Sequence, residues 1–143
     1  PDSMVGLVAP DILFTDLNGE KIALKDLRGK IVFIDFWATW CGPCPLEMPH
    51  IEKLFKEYKG NDTIAFLGAS NEEKGTITGF LKKNEYSFPI VMVKAEDARG
   101  KFNVTSIPAG FVIDADGVIR AHMIGTQSEA QLRAAFAKAG FVE

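Results

Sequence analysis

Cysteine and histidine are scarce in this chain of 143 residues, which contains two of each. Structural zinc sites use four ligands, normally cysteine and histidine side chains. Cys41 and Cys44 could supply two of them, but there is no third cysteine, and His50 and His122 are isolated from each other. The sequence therefore argues against a zinc site, and we predict no metal.

Long apolar runs and a basic surface are also lacking. No apolar run approaches the roughly 20 residues of a membrane span, so we expect no span in this chain. The formal net charge is −3 and the Lys and Arg residues are scattered, which argues against nucleic acid as a partner. The length favours one domain over residues 1–143. The start at Pro1 instead of Met is compatible with a removed signal peptide or lipid anchor.

The informative part of the chain is residues 31–49. Residues 31–37 are almost all apolar, which predicts a central strand buried on both faces. A segment that we expect to be helical begins at Pro45. Cys41 and Cys44 lie where the strand gives way to the helix, and Asp35 is the one acid within the strand.

The spacing of the two cysteines has a chemical meaning. Residues i and i+3 in the first turn of a helix can close a small disulfide ring with little movement of the backbone. Unpaired backbone N–H groups and the positive end of the helix dipole stabilise a thiolate there. A thiolate attacks disulfides, whereas a thiol does not. We therefore predict Cys41 as the nucleophile, with its sulfur pointing outward, and Cys44 as the buried resolving partner.

Residues 35–44 read Asp-Phe-Trp-Ala-Thr-Trp-Cys-Gly-Pro-Cys, and Pro49 follows. This stretch resembles the active-site segment of the thioredoxin superfamily. The resemblance implies an α/β thioredoxin fold, with a central mixed sheet flanked by helices. It also implies that Asp35 is a buried acid behind the second cysteine. Burial should raise the pKa of Asp35, so that this residue can accept or supply a proton during exchange.

The resemblance also implies a substrate-binding surface beside the cysteines. We expect Trp37 in the core and Trp40 as one wall of a groove, with Gly42 and Pro43 at the same surface. In this superfamily a proline in the position of Pro108 is cis and faces the cysteine pair. The residue before it, here Ile107, would then present its backbone to an extended substrate. Gly125 matches the family's small residue lining that groove, whereas Ala109 stands where thioredoxins usually carry threonine.

Two further segments narrow the resemblance to one branch of the superfamily. Residues 1–30 contain a hairpin turn signal, Asn18-Gly19, and are similar to the lead-in of peroxiredoxins and of periplasmic proteins of the TlpA/ResA type. Plain thioredoxins lack this hairpin. A helix and strand over about residues 72–95 resemble the central insertion of the TlpA/ResA type. In that alignment Glu72 matches an acid near the active site, although a solvated acid at a helix N-terminus explains it equally well.

The resemblance implies a thiol-disulfide oxidoreductase that reduces disulfides in protein substrates and is recharged by an upstream thiol reductant. It would need no cofactor, because the redox-active group is the Cys41–Cys44 disulfide itself. The protein would act as a monomer. Members of the branch often serve cytochrome c maturation, so we expect a periplasmic or cell-envelope location, with the cytoplasm as the alternative. A peroxidase of the peroxiredoxin class, a general cytosolic thioredoxin and a non-catalytic interaction module remain alternative functions.

The rest of the pattern predicts ordinary elements of an α/β domain. A capping box formed by Ser128 and Gln131 should start the last helix, and Gly140 should end it. Strands are predicted over 8–17, 63–69, 86–93, 110–114 and 118–121, and helices over 45–60, around 77–81, over 98–104 and over 128–140.

Overall fold

The computed structural model describes residues 3–143. Pro1 and Asp2, with which the predicted extension begins, lie outside the described residues. Within the described chain there are seven strands, four α-helices and a short 3-10 helix at Leu24–Leu27. In chain order they are β1 (Leu13–Asp16), β2 (Lys21–Ala23), β3 (Ile31–Phe36), α1 (Cys44–Tyr58), β4 (Ile64–Ser70), α2 (Lys74–Lys83), β5 (Ile90–Met92), α3 (Ala95–Phe102), β6 (Ala109–Ile113), β7 (Ile119–Ile124) and α4 (Glu129–Lys138).

The strands form one mixed sheet in the order β2-β1-β5-β4-β3-β6-β7. Strand β3 is central, parallel to β4 and antiparallel to β6. All six of its residues are buried, as the apolar run predicts. The carboxyl end of this strand leads directly to the two cysteines. The predicted central mixed sheet flanked by helices is confirmed.

The N-terminal extension and the central insertion meet at one side of this sheet. Strands β1 and β2 form the predicted antiparallel hairpin, with Gly19 at φ 86° in the turn. A positive φ is accessible to glycine without steric cost, which explains the Asn-Gly signal. Strand β1 pairs with β5, and β5 pairs with β4. Both segments therefore widen the sheet on the β4 side, so that β3 has four strands on that side and two on the other.

The predicted strand over residues 86–93 is confirmed only for Ile90–Met92. The backbone N–H groups of Ser87 and Phe88 donate to the carboxylate of Glu52 on α1. Pro89 has no N–H to donate to a ladder. Contacts with a distant helix, which the local pattern does not reveal, therefore replace strand pairing before residue 90.

Two other boundaries also differ from the prediction. The first strand begins at Leu13 instead of residue 8, and Val8 forms only an isolated bridge with Val118 at the other edge of the sheet. Helix α3 covers Ala95–Phe102 instead of 98–104 and ends at Asn103, whose φ of 53° is left-handed. The predicted capping box between Ser128 and Gln131 is confirmed at the start of α4.

The core fills both faces of the sheet. On one face, Phe33 packs edge-on against Phe66 and Phe136, with ring centroids 5.8 and 5.4 Å apart. Phe136 lies on α4, and Ile51 and Leu54 on α1 belong to the same cluster. The packing holds α1 against the sheet, so the start of α1 and the end of β3 have a defined position relative to each other.

Candidate active site

The two cysteines lie at the junction between β3 and α1. They are joined by a disulfide, and their Cα atoms are 5.4 Å apart. Cys44 is the first residue of α1, and its backbone N–H donates to Cys41 Sγ across 3.2 Å. Cys41 is 3% exposed and Cys44 1% exposed. In this oxidised form both residues are therefore buried, although the sequence predicted an outward-pointing sulfur for Cys41.

The start of α1 is suited to hold a negative charge on Cys41. The first N–H groups of a helix have no partner within the helix, and the helix dipole is positive at this end. One of these groups, the N–H of Cys44, already points at Cys41 Sγ. When the disulfide is reduced, the same donor can stabilise a thiolate on Cys41, which supports its predicted role as the nucleophile.

A second loop approaches the disulfide from the sheet. The Ile107–Pro108 peptide bond is cis, and the Ile107 carbonyl oxygen lies 3.7 Å from Cys41 Sγ. The Pro108 carbonyl accepts a hydrogen bond from the N–H of Gly125 across 2.8 Å. Gly125 has φ 86°, which disfavours any residue with a side chain. The fold thus brings Ile107, Pro108 and Gly125 together beside the cysteines, although they are distant in sequence.

The surface around the disulfide is apolar. Trp40 is 74% exposed, whereas Trp37 is 2% exposed, as predicted for the two tryptophans. Leu46, in the first turn of α1, and Ile124, next to Gly125, are also large hydrophobic side chains left in water. Gly42 and Pro43 are exposed between the cysteines. We call Trp40, Leu46 and Ile124 the apolar rim. Such exposed clusters mark surfaces that bind another molecule.

Two carboxyl groups are buried next to each other, Asp35 on β3 and Glu47 in the first turn of α1. Asp35 is 1% exposed and Glu47 3% exposed. Neither carboxylate oxygen of Asp35 has a hydrogen-bond partner among the described residues, whereas Glu47 Oε2 accepts from the N–H of Gln127 across 3.0 Å. Burial raises the pKa of Asp35 well above its ordinary value, and the neighbouring Glu47 raises it further. Burial also raises the pKa of Glu47, although the hydrogen bond from the Gln127 N–H lowers it.

Glu47 is a candidate site residue that the sequence analysis missed. It lies three residues after Cys44 and four before Ile51, so it shares the inward face of α1. An acid in the first turn of a helix is usually a solvated residue that interacts favourably with the helix dipole. The sequence therefore gave no reason to expect Glu47 to be buried. Its helical spacing from the apolar residues of α1 is the feature of the sequence that could have predicted its burial.

The buried state of Asp35 predicts a pH-dependent stability. The window runs from the ordinary pKa of an aspartate in the unfolded chain up to the raised pKa of Asp35 in the native protein. At a pH within this window the native state binds more protons than the unfolded chain, so the free energy of unfolding falls as the pH rises. Asp35→Asn removes the charge, and we expect the free energy of unfolding of the oxidised protein to rise by about 1–3 kcal/mol at neutral pH. Denaturant unfolding between pH 4 and pH 8 measures this effect.

The exposed acid Asp62 provides the control for this experiment. Asp62→Asn should leave the shape of the curve of stability against pH unchanged. If the curves of the wild type and Asp35→Asn ran parallel over the whole range, Asp35 would not be the group that takes up the proton.

Glu72 lies at the same end of the sheet, at the carboxyl end of β4, and forms hydrogen bonds that the sequence did not predict. Its carboxylate accepts hydrogen bonds from the backbone N–H of Thr39 across 2.8 Å, from Thr39 Oγ1 across 2.6 Å and from Ser70 Oγ across 2.8 Å. These bonds tie the segment that enters Trp40 and Cys41 to the end of β4. They give Glu72 a positioning role, and its predicted catalytic role stays a prediction.

The described residues lack a cluster of metal ligands and a membrane-spanning helix. Within residues 3–143, no group of three or more His, Cys, Asp or Glu side chains could hold a metal ion. Over the same range, the helices are too short or too polar to cross a bilayer. The prediction that the protein uses only its own disulfide, without a further cofactor, stays a prediction.

Comparison with known proteins gives consistent results. Residues 5–122 match the model of the AhpC/TSA family. The chain is 38% identical over 128 residues to the thiol-disulfide oxidoreductase ResA of Bacillus cereus. The aligned residues cover 90% of this chain and 74% of that protein. It is 36% identical over 129 residues to the thioredoxin-like protein YneN of Bacillus subtilis, covering 89% of this chain and 75% of that protein.

Solved structures share the fold. The crystal structure of a thiol:disulfide interchange protein of the thioredoxin family from Chlorobium tepidum superposes with a TM-score of 0.78 at 26% identity. The superposition covers 97% of this chain and 98% of that chain. These findings agree with the paired cysteines at the start of α1 and with the predicted thioredoxin fold. The chain belongs to the AhpC/TSA family and, within it, to the thioredoxin-like thiol-disulfide oxidoreductases of the TlpA/ResA type.

Proposed function

We propose that this protein reduces disulfides in polypeptide substrates through Cys41 and Cys44. The observation that carries the proposal is the contact between the N–H of Cys44 and Cys41 Sγ at the start of α1. This donor and the helix dipole favour the thiolate of Cys41 over its thiol. A thiolate that is stable near neutral pH is the species required for attack on a disulfide.

In the first step the Cys41 thiolate attacks one sulfur of the substrate disulfide. The substrate S–S bond breaks, a mixed disulfide forms between Cys41 and the substrate, and the other substrate sulfur leaves as a thiolate that takes up a proton. The attack requires an open approach to Cys41. Two residues border this approach. Trp40 directly precedes Cys41 in the chain, and the carbonyl oxygen of Ile107 lies 3.7 Å from Cys41 Sγ.

In the second step Cys44 attacks the sulfur of Cys41. The Cys41–Cys44 disulfide forms, and the second substrate sulfur leaves as a thiolate, so that two electrons have passed to the substrate. Cys44 is buried and must first lose its proton. Asp35 and Glu47 are buried carboxyl groups, and their raised pKa values make them better proton acceptors than an ordinary carboxylate, so either could take up this proton. An upstream dithiol then reduces the protein again.

The substrate would bind across the loop that carries Pro108. Within residues 3–143, the backbone N–H groups of Thr105, Ser106 and Ile107 donate to no other backbone group. An extended chain can pair with such a segment as an added strand. Gly125, Gly42 and Pro43 leave room beside it, and the apolar rim offers contacts with side chains of the substrate.

The cellular setting follows from the branch of the family. The hairpin β1–β2 and the insertion around α2 and β5 resemble the periplasmic TlpA/ResA type, so we place the protein as a monomer in the periplasm or cell envelope. Its substrates there would be proteins whose thiols must be kept reduced, such as those of cytochrome c maturation.

The midpoint potential of the Cys41–Cys44 pair tests the reducing direction. We expect a value near the reducing end of the range, about −270 mV, when the pair is equilibrated with glutathione buffers and trapped with a thiol reagent. A value near about −120 mV would overturn the reductase assignment, because the protein would then oxidise its substrates. Rapid stoichiometric consumption of peroxide, measured in parallel, would support the peroxidase alternative instead.

A further inference from the structure

Three oxygens of buried carboxyl groups lack a hydrogen-bond donor within residues 3–143. They are both oxygens of Asp35 and Oε1 of Glu47, whereas Oε2 of Glu47 accepts from the N–H of Gln127 across 3.0 Å. Burial of an ionised carboxylate without a donor is strongly unfavourable, and a second negative charge beside it adds repulsion. Two ionised carboxylates therefore do not fit this part of the core.

A proton removes this conflict, because the side chains of Asp35 and Glu47 are within hydrogen-bonding reach of each other. An ionised carboxylate has acceptors only, so two carboxyl groups can form a hydrogen bond only when one of them holds a proton. The protonated group then donates to the ionised one. One bound proton thus removes a buried charge and joins the two groups through oxygens that otherwise have no partner.

The remaining negative charge belongs mainly on Glu47. Burial raises the pKa of both carboxyl groups, but the Gln127 N–H donates to Glu47 and acts to lower its pKa, whereas Asp35 has no N–H donor within residues 3–143. An N–H donor favours the ionised form of a carboxyl group. The proton therefore resides mainly on Asp35, which donates it to Oε1 of Glu47.

The surroundings of these two groups add no further charge within the described chain. The strands next to Asp35 place Gly68 of β4 and Gly110 of β6 beside it. The uncharged backbone of Gln127, just before α4, contacts Glu47. Two carboxyl groups that interact with each other in this way titrate as one unit. We call Asp35 and Glu47 the carboxyl pair.

Glu47 is the member of the carboxyl pair that lies next to Cys44. Both residues belong to the first turn of α1, three positions apart, and both are buried. Residues at this spacing are neighbours on the same face of a helix. The carboxylate of Glu47 is therefore placed to exchange a proton with the Cys44 sulfur, and Asp35 contacts it from β3.

We propose that Asp35 and Glu47 share one proton in the oxidised protein, and that this carboxyl pair is the acid–base group that serves Cys44. The proposal rests on the proposed disulfide reductase function and deepens it. When Cys44 resolves the mixed disulfide, its proton passes to the carboxyl pair through Glu47, and its thiolate forms the new S–S bond as the substrate sulfur leaves. When the thiolate of an upstream dithiol attacks Cys41, the S–S bond breaks and the carboxyl pair returns that proton to the departing Cys44 thiolate.

A lone carboxyl group would serve one of these two steps poorly. At a given pH a single group is either mostly ionised, with no proton to donate, or mostly protonated, with no free site. A pair that holds one proton contains a donor and an acceptor at the same time. The shared proton therefore lets one buried site assist both the oxidation and the reduction of Cys44.

Infrared spectroscopy of the oxidised protein detects the shared proton, since the disulfide-bonded cysteines do not titrate. The wild type should show the C=O stretch of a protonated carboxyl group at neutral pH and lose it as the pH rises. Asp35→Asn should remove this band at neutral pH. Glu47→Gln should lower the pH at which the band is lost by about one unit or more, because the neighbouring charge is gone and the Gln amide can donate to Asp35.

The exposed acid Glu85 provides the matched control. Glu85→Gln should leave the band and its titration as in the wild type. A wild type without the band at neutral pH would overturn the shared proton. An unchanged titration of the band in Asp35→Asn or in Glu47→Gln would overturn it too, because the proton would then not be held between the two residues.

The rate of resolution tests the role of the carboxyl pair in the exchange. In a single turnover at neutral pH, we expect Glu47→Gln to resolve the mixed disulfide about tenfold more slowly than the wild type, because no carboxylate then lies next to Cys44. The first attack by Cys41 should stay within about twofold of the wild-type rate. Equal rates of resolution would overturn this role. A wild type that reduced no disulfide would refute the proposed function instead and leave the infrared result unaffected, so the two failures are distinguishable.

Discussion

Cys41→Ala abolishes disulfide reduction: with insulin as substrate and a dithiol as the electron source, we expect kcat/KM to fall by about 10³-fold or more. The physical reason is that the backbone N–H of Cys44 at the start of α1 points at Cys41 Sγ and can stabilise its thiolate. Cys44 remains in this variant, but it is the more buried sulfur, 1% exposed in the oxidised protein.

The loss must be separated from a loss of folding. The Cys41→Ala variant lacks the disulfide, so its free energy of unfolding should be compared with that of the reduced wild-type protein. Trp40 and Trp37 provide a fluorescence signal for this measurement. Sustained turnover by a folded Cys41→Ala variant would refute the assignment of Cys41 as the nucleophile.

Cys44→Ala should have an equally large effect on turnover but leave the first attack intact. The Cys41 thiolate still forms a mixed disulfide with the substrate, and no second thiolate is present to release it. We expect each protein molecule to react once and to remain attached to its substrate. Non-reducing electrophoresis and mass spectrometry would show an adduct with the summed mass, which a dithiol reductant reverses.

Asp35→Asn is an informative comparison because both cysteines remain. If Asp35 accepts the proton of Cys44, this variant should resolve the adduct more slowly than the wild type and attack substrate at the same rate. Stopped-flow mixing measures the two phases separately. An absence of any adduct with Cys44→Ala would contradict the two-step exchange, and equal slowing of both phases by Asp35→Asn would remove Asp35 from proton transfer.

Local sequence patterns were sufficient for the centre of the fold. Strand β3 could be predicted because its residues are apolar in succession, and α4 because Ser128 and Gln131 form a reciprocal cap. The disulfide between Cys41 and Cys44 could also be predicted from a local pattern. Two residues that are three positions apart at the start of a helix are neighbours in space, independently of how the rest of the chain folds. Interactions of short range leave their signal in short stretches of sequence.

Other features depend on segments that are distant along the chain. Residues 86–88 are not a strand, because Glu52 on α1 binds two of their N–H groups. Glu72 was predicted as a catalytic or solvated acid, and neither interpretation included the bonds to Thr39 and Ser70 that give it a positioning role. Thr39 is 33 positions away from Glu72 in the chain, so the pattern of residues around Glu72 cannot identify it as a partner.

The sequence alone established the pair of reactive sulfurs, the strand and helix that hold them, and the family to which such a segment belongs. Tertiary structure decided what surrounds the pair: the buried Glu47 beside Asp35 and the approach of Ile107 to Cys41. The reason is physical. Thiolate stabilisation depends on one helix end, whereas the pKa of a buried carboxyl group depends on every element that packs around it.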